Sequence, residues 1–179
     1  MALKHWKKLS SKKLFENGHW SYYLDDFEIE GRGRGVYHYV HTRGSSMVIP
    51  VLPDGSIILV NQYRYLNNKE SLEFPCGGVD EGLSVEENAV KELREETGFS
   101  SNNIIKAGEF SPYTGASDEM CSVFIARELF PFPLQKDATE EFEIFRKTPA
   151  EIDELIEKNI IWDGLTLSAW ILSKKYFIK

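Results

Sequence analysis

The chain has 179 residues, 42% of them hydrophobic and four of them Trp, which suffices for one substantial core and suggests one domain or one with a small appendage. A formal net charge of -7 argues against a general nucleic-acid binder, and no apolar run approaches the roughly 18 residues of a membrane span. No signal peptide precedes residue 20, and Cys76 and Cys121 lie outside any CxxC or Cys/His cluster, so reduced thiols in the cytosol are expected and structural zinc is not.

Residues 1–13 carry Lys4, Lys7, Lys8, Lys12 and Lys13 around Trp6 and Leu9. They read as a frayed, solvated N-terminus in preference to a lipid or nucleic-acid contact. Trp20 to Ile29 and Val36 to Arg43 have the aromatic and β-branched character of strands, and Gly31 to Gly35 (GRGRG) supplies the turn of an N-terminal antiparallel hairpin. That glycine-arginine run precedes no helix, which favours a turn over a phosphate cradle. His5, His19, His38 and His41 lack the Ser or Cys partner pattern of a triad and read as structural. Met47 to Leu52 and Ser56 to Tyr63 flank Pro53-Asp54-Gly55 and predict a second hairpin, its continuous apolar runs marking strands covered on both faces. Gln62-Tyr63-Arg64-Tyr65 and Ser71-Leu72-Glu73-Phe74-Pro75 follow.

Cys76-Gly77-Gly78 and Asp80-Glu81-Gly82 form a tight loop that lets backbone approach a ligand or metal closely. A helix over about 84 to 97 comes next, because Ser84 and Glu87 make a capping box and Gly98 supplies a left-handed stop. Val85, Ala89 and Leu93 form its apolar stripe, with Glu92 and Glu96 within about 40° of Val85 and with Glu87, Lys91 and Arg94 on the wet face. Carboxylates at the edge of a core are costly without a positive partner, and Glu92, Glu95 and Glu96 are near neighbours on the helix. Hard oxygen ligands in that arrangement suit Mg²⁺ or Mn²⁺ and, through it, a diphosphate substrate. The alternative is an ordinary solvated Glu-rich helix.

This segment resembles the Nudix box. Gly77, Glu92, Leu93, Glu95, Glu96, Gly98 and Phe99 fall in register, while the box's first Glu is Leu83 here and its Arg is Lys91. In the family those two brace the loop with a salt bridge, so a different brace is expected. Together with QYRY and LEFP, the run resembles the ADP-ribose pyrophosphatase branch. The resemblance implies an α/β fold, a Nudix α/β/α sandwich over residues 46–179, preceded by an antiparallel β extension over residues 1–45.

Several roles follow from the resemblance alone. Glu92, Glu95, Glu96 and the Cys76 carbonyl hold Mg²⁺ or Mn²⁺ in this reading. Arg64 contacts the diphosphate, the alternative being a surface ion pair with an acid such as Glu70, and Glu73 contacts substrate or braces a loop. Ile104 to Phe110 and Met120 to Leu129 are expected strands. Between them SPYTGASDE stands where the branch shapes its terminal-ribose pocket; it is longer here before its Gly, and Glu119 is a candidate contact. Lys136 to Phe142 is an acidic loop, and Glu140, then Glu141, is the candidate general base. A strand from Phe142 to Lys147 and a helix from about 149 to 158, opened by the capping box Thr148 and Glu151, come next, then an apolar-faced helix within Asp163 to Tyr176.

The implied activity is hydrolysis of a nucleoside diphosphate sugar, with ADP-ribose giving AMP and ribose 5-phosphate as the leading case. GDP-mannose or another nucleotide sugar is the second reading, and a non-catalytic nucleotide-binding module the third. A homodimer is also implied, its N-terminal strands packing on a second subunit and an aromatic residue there stacking on adenine. Trp20 is the candidate, with a core tryptophan as its alternative.

Overall fold

The computed structural model describes residues 3–135 and 139–177. By contact density the chain forms two compact units, one of Met1–Arg43 with Ser111–Glu119 and the other of Gly44–Phe110 with Met120–Lys179.

The first unit is an antiparallel sheet in the order β1 (Lys7–Glu16), β2 (Ser21–Ile29), β3 (Gly33–His41). The expected hairpin is present as β2 and β3, and the glycine-arginine run is its turn, with Gly31 and Gly33 at positive φ and Arg32 N–H donating to Ile29 O. The N-terminal lysine segment departs from expectation, because from Lys7 onward it is a strand paired with β2. Its side chains are exposed throughout, so no apolar alternation announces it. Cross-strand polar pairs hold it instead, Lys8 to Asp25 at 2.9 Å and Ser10 Oγ donating to Asp26 at 2.6 Å. The segment 111–119 joins this unit through Val40 N–H to Ala116 O and His41 Nδ1 to Asp118 Oδ2, the latter at 2.7 Å.

The second unit is a layered α/β/α sandwich. Its larger sheet runs β7 (Cys76–Gly78), β4 (Ser45–Pro50), β10 (Cys121–Arg127), β9 (Asn103–Phe110), with β10 parallel to β4. A second sheet runs β12 (Glu143–Lys147), β5 (Ile57–Arg64), β6 (Lys69–Glu73), and the short strands β8 (Phe99–Ser100) and β11 (Phe130–Pro131) pair separately. The expected second hairpin is therefore corrected. Its strands β4 and β5 enter different sheets, and the turn between them is closed by a bridge between Val51 and Ile57, by Leu52 N–H to Ser56 O and by Gly55 N–H to Leu52 O. Each is nonetheless an inner strand, and the apolar runs, 47–50 in β4 and 57–60 in β5, are buried on both faces as expected.

Alternation along β4 and β10 sorts the core into two layers. Met47, Ile49, Val123 and Ile125 face Ile152 of helix α2 (Pro149–Glu157) and Ala169 and Trp170 of helix α3 (Gly164–Ser173). Val48, Phe124 and Ala126 face Ala89 and Leu93 of helix α1 (Val85–Thr97) on the other side. The last helix is not cleanly amphipathic, since Ile171 stays 75% exposed while Trp170 is buried. Among the described residues no helix is long and apolar enough to cross a membrane.

Candidate active site

Helix α1 starts where its sequence dictates. Ser84 accepts the Glu87 N–H, Glu87 reaches back to the Ser84 N–H, and Gly98 ends the helix in the left-handed region. This fixes the rotation of the helix about its axis, burying Glu92 and Glu96 at the edge of the Ala89 and Leu93 stripe, each 7% exposed. Strand β7 crosses directly over them. A Cβ on Gly77 would lie 2.5 Å from the Glu92 carboxyl carbon, and the Cys76 N–H donates to Glu96 Oε1 at 3.3 Å.

Burial here sets the acidity. It pushes Glu92 up to about 7, against the lowering effect of Lys91. It pushes Glu96 up to about 9, with the neighbouring Glu92 charge adding to the rise and the Cys76 N–H opposing it. Glu96 Oε2 is buried and has no hydrogen-bond partner among the described residues. Two desolvated carboxyls, one with an orphan oxygen, under a strand that carries no side chain at Gly77 form a donor set that fits a hard divalent cation. Among the described residues no three His, Cys, Asp or Glu side chains already converge as a cage for one.

Glu95 stands apart from this pair because its carboxylate is held by Lys91 at 2.8 Å. Lys91 does not take the expected wet position. Its ammonium reaches Asp80 at 3.1 Å and Glu92 at 3.3 Å as well, and although burial works to lower its pKa, these acids raise it above the usual lysine value.

Arg64, at the end of β5, pairs with Glu73, at the end of β6. Nε donates to Glu73 Oε1 at 2.8 Å and a terminal nitrogen donates to Oε2. The fork is bidentate, and Glu73 is 1% exposed while the Arg64 side chain is 38% exposed, so the guanidinium is anchored on one edge and open on the other. Glu70, the acid weighed for Arg64, instead accepts from Asn61 Nδ2. Glu140 is exposed, and its charge helps raise Glu92 and Glu96, which places it in electrostatic reach of both. Glu141 is exposed too. Residues 136–138 of the same acidic loop lie outside the described residues. Trp20 and Glu119 belong to the N-terminal unit, where Trp20 is 39% exposed and packs on Phe15 at 5.5 Å, and the Glu119 N–H donates to Ser117 Oγ.

Sequence reasoning missed Asn88. It is fully buried in α1, where its Oδ1 accepts the Asp80 N–H at 3.1 Å and its Nδ2 donates to Ser46 Oγ at 2.8 Å and to Glu92 Oε1 at 3.4 Å. One amide thus ties the glycine loop, β4 and Glu92 together. The available signal was a poor helix former on the buried side of the helix, one turn before Glu92.

Known proteins resemble this chain over most of its length. Residues 41–164 match the NUDIX domain. The chain is 27% identical over 165 residues to an ADP-ribose pyrophosphatase of Bacillus subtilis (strain 168), covering 91% of this chain and 89% of that protein. It is 28% identical over 153 residues to the ADP compounds hydrolase NudE of Escherichia coli (strain K12), covering 84% and 82% respectively. A crystal structure of an ADP compounds hydrolase superposes with a TM-score of 0.85 at 24% identity, over 98% of this chain and 96% of that one, which establishes the shared fold.

Proposed function

Because the chain belongs to the NUDIX family, we propose that it hydrolyses the diphosphate bond of ADP-ribose, releasing AMP and ribose 5-phosphate, with a divalent metal ion as cofactor. The observation that carries this reading is the pair of buried carboxyls, Glu92 and Glu96, under the glycine strand, with Glu96 Oε2 unpartnered among the described residues.

In this reading Glu92, Glu96 and the Cys76 carbonyl hold Mg²⁺ or Mn²⁺, and Glu95 joins them on exchanging its Lys91 contact. The bound ion supplies charge neutralisation of the diphosphate and a lowered pKa for an attacking water. Arg64, held flat by Glu73, offers its open edge to the diphosphate oxygens. Glu140 takes the proton of the water as it attacks phosphorus, with Glu141 as the second choice; its proximity in charge to Glu92 and Glu96 favours Glu140. Charge neutralisation and positioning supply most of the rate in such transfers.

Residues 1–45 form an extension that contacts a second copy in a homodimer, and 46–179 the hydrolase domain. Trp20, nearly two-fifths exposed, stacks on the base, and Glu119 contacts the sugar side. Cys76 and Cys121, both thiols outside any disulfide, suit a reducing, cytoplasmic compartment. A dimeric mass by light scattering at micromolar concentration is expected, and a monomer would overturn the assembly.

The deciding experiment is chromatographic turnover of ADP-ribose, GDP-mannose, NADH and diadenosine polyphosphates with Mg²⁺, Mn²⁺ or EDTA. Cleavage of ADP-ribose ahead of the others, abolished by EDTA, is the expected result. Preference for another compound overturns the substrate assignment, and no metal-dependent cleavage of any of them overturns catalysis.

A further inference from the structure

We propose that Asp80 and Lys91 are a positioning pair that fixes the glycine loop against the carboxylates of α1. Residues 76–78 are held as β7 on β4 and the Val79 N–H donates to Gly44 O, so the segment that the pair fixes is 80–83, which closes on itself through Leu83 N–H to Asp80 O. Gly82, at positive φ, leaves the backbone of this segment permissive, and Leu83, directly before the helix cap, is 37% exposed and can form no ion pair. Among the described residues two polar ties cross from Asp80 to α1. One is the backbone bond from the Asp80 N–H to Asn88 Oδ1, and the other is the Asp80 carboxylate on the Lys91 ammonium at 3.1 Å.

Lys91 has three donor directions and meets three carboxylates, Asp80, Glu92 and Glu95. It lies one residue from Glu92 and one turn from Glu95, so it touches both from within their own helix. Only Asp80 is across the loop. Asp80 therefore sets where the ammonium rests, and through it the position of Glu92 relative to β7. Without Asp80, Lys91 is free to settle on Glu92 and Glu95 alone, and those carboxylates are then less available to any other cation. A half-exposed ion pair is worth little as stability. Its effect is on position, where a shift on the order of 1 Å costs as much as 100-fold in rate.

The inference rests on the proposed metal-dependent hydrolysis for its kinetic consequence, and its physical content is separately measurable. The test compares wild type, Asp80→Asn, Asp80→Glu, Lys91→Met and Lys91→Arg. In the metal-free protein, amide hydrogen exchange over residues 80–84 should quicken about fivefold or more in Asp80→Asn and Lys91→Met, with the rest of the chain unchanged. The charge-preserving variants should stay near wild type. In turnover of ADP-ribose with Mg²⁺, Asp80→Asn should lower kcat about tenfold while KM changes less than about twofold, and Asp80→Glu should recover most of the loss. Wild-type exchange in Asp80→Asn, or equal impairment of Asp80→Asn and Asp80→Glu, overturns the pair. If wild type turns over nothing, the hydrolase reading fails, and the exchange data still decide the brace by themselves.

Discussion

Arg64 and Glu73 show how a single substitution separates anchoring from contact. Glu73 is buried and its charge is balanced by a guanidinium that remains 38% open to solvent. Glu73→Gln keeps the shape and removes the charge, so the expected cost in stability is about 1–3 kcal/mol, below that of breaking a fully buried pair because Arg64 can turn to water. The larger effect belongs to function. Arg64, no longer held by a fork, should lose its orientation, raising KM for ADP-ribose about tenfold, and Arg64→Lys should do the same because an ammonium cannot make the bidentate bond. Combining the two should cost little more than either alone, since both remove one anchored guanidinium. Additive losses would show that Glu73 and Arg64 act separately. Both residues were singled out from the sequence, and Asn88 was not, because a buried amide with partners in two other segments leaves no periodic trace.

The proposed role of strand β7 depends on what its middle residue lacks. A Cβ at Gly77 meets the far end of the Glu92 side chain, which can rotate away at little cost to the fold. Gly77→Ala should therefore keep its Tm within a few degrees of wild type and lose at least about 100-fold in turnover, since the displaced group is a proposed ligand. A large fall in Tm would mean that the backbone, and not Glu92, gives way. Other elements differ in how far their sequences announced them. Helices α1 and α2 were legible to within a residue because capping boxes fix their starts. Strand β1 was not, because every side chain in it is exposed and its pairing partners lie in β2. The turn at Pro53 to Gly55 was visible, yet the chain sends β4 and β5 to different sheets, a choice made by the parallel partner β10 and by β6 and β12, which local sequence does not contain.

Across the whole molecule the buried acids make stability depend on pH and on metal together. A carboxyl whose folded pKa stands above its unfolded value stabilises the fold fully below the unfolded value, and that contribution is lost as pH rises to the folded one. For Glu96 the window runs from 4.5 to about 9, and for Glu92 from 4.5 to about 7. Asp25 and Asp153 act in the opposite sense and elsewhere on the scale. Burial raises both, but hydrogen bonds from Ser11 and Lys8 to Asp25, and from Lys174 and Trp170 to Asp153, leave them below 3.8, so their contribution is lost only in more acidic solution. The metal-free protein should therefore lose Tm steadily as pH is raised through the Glu96 window. A divalent ion binding the ionised acids lowers their pKa values and adds its own binding energy to the folded state, so Mg²⁺ should raise Tm more at about pH 8 than at about pH 5. Glu96→Gln removes the costliest charge. It should flatten the pH slope, raise the metal-free Tm at about pH 8, nearly abolish the Mg²⁺ response, and eliminate turnover. Thermal unfolding of both proteins with Mg²⁺ or EDTA across that range decides the matter. An unchanged Mg²⁺ response in Glu96→Gln would remove Glu96 from the proposed metal site, because a ligand cannot be lost without weakening the linkage that depends on it.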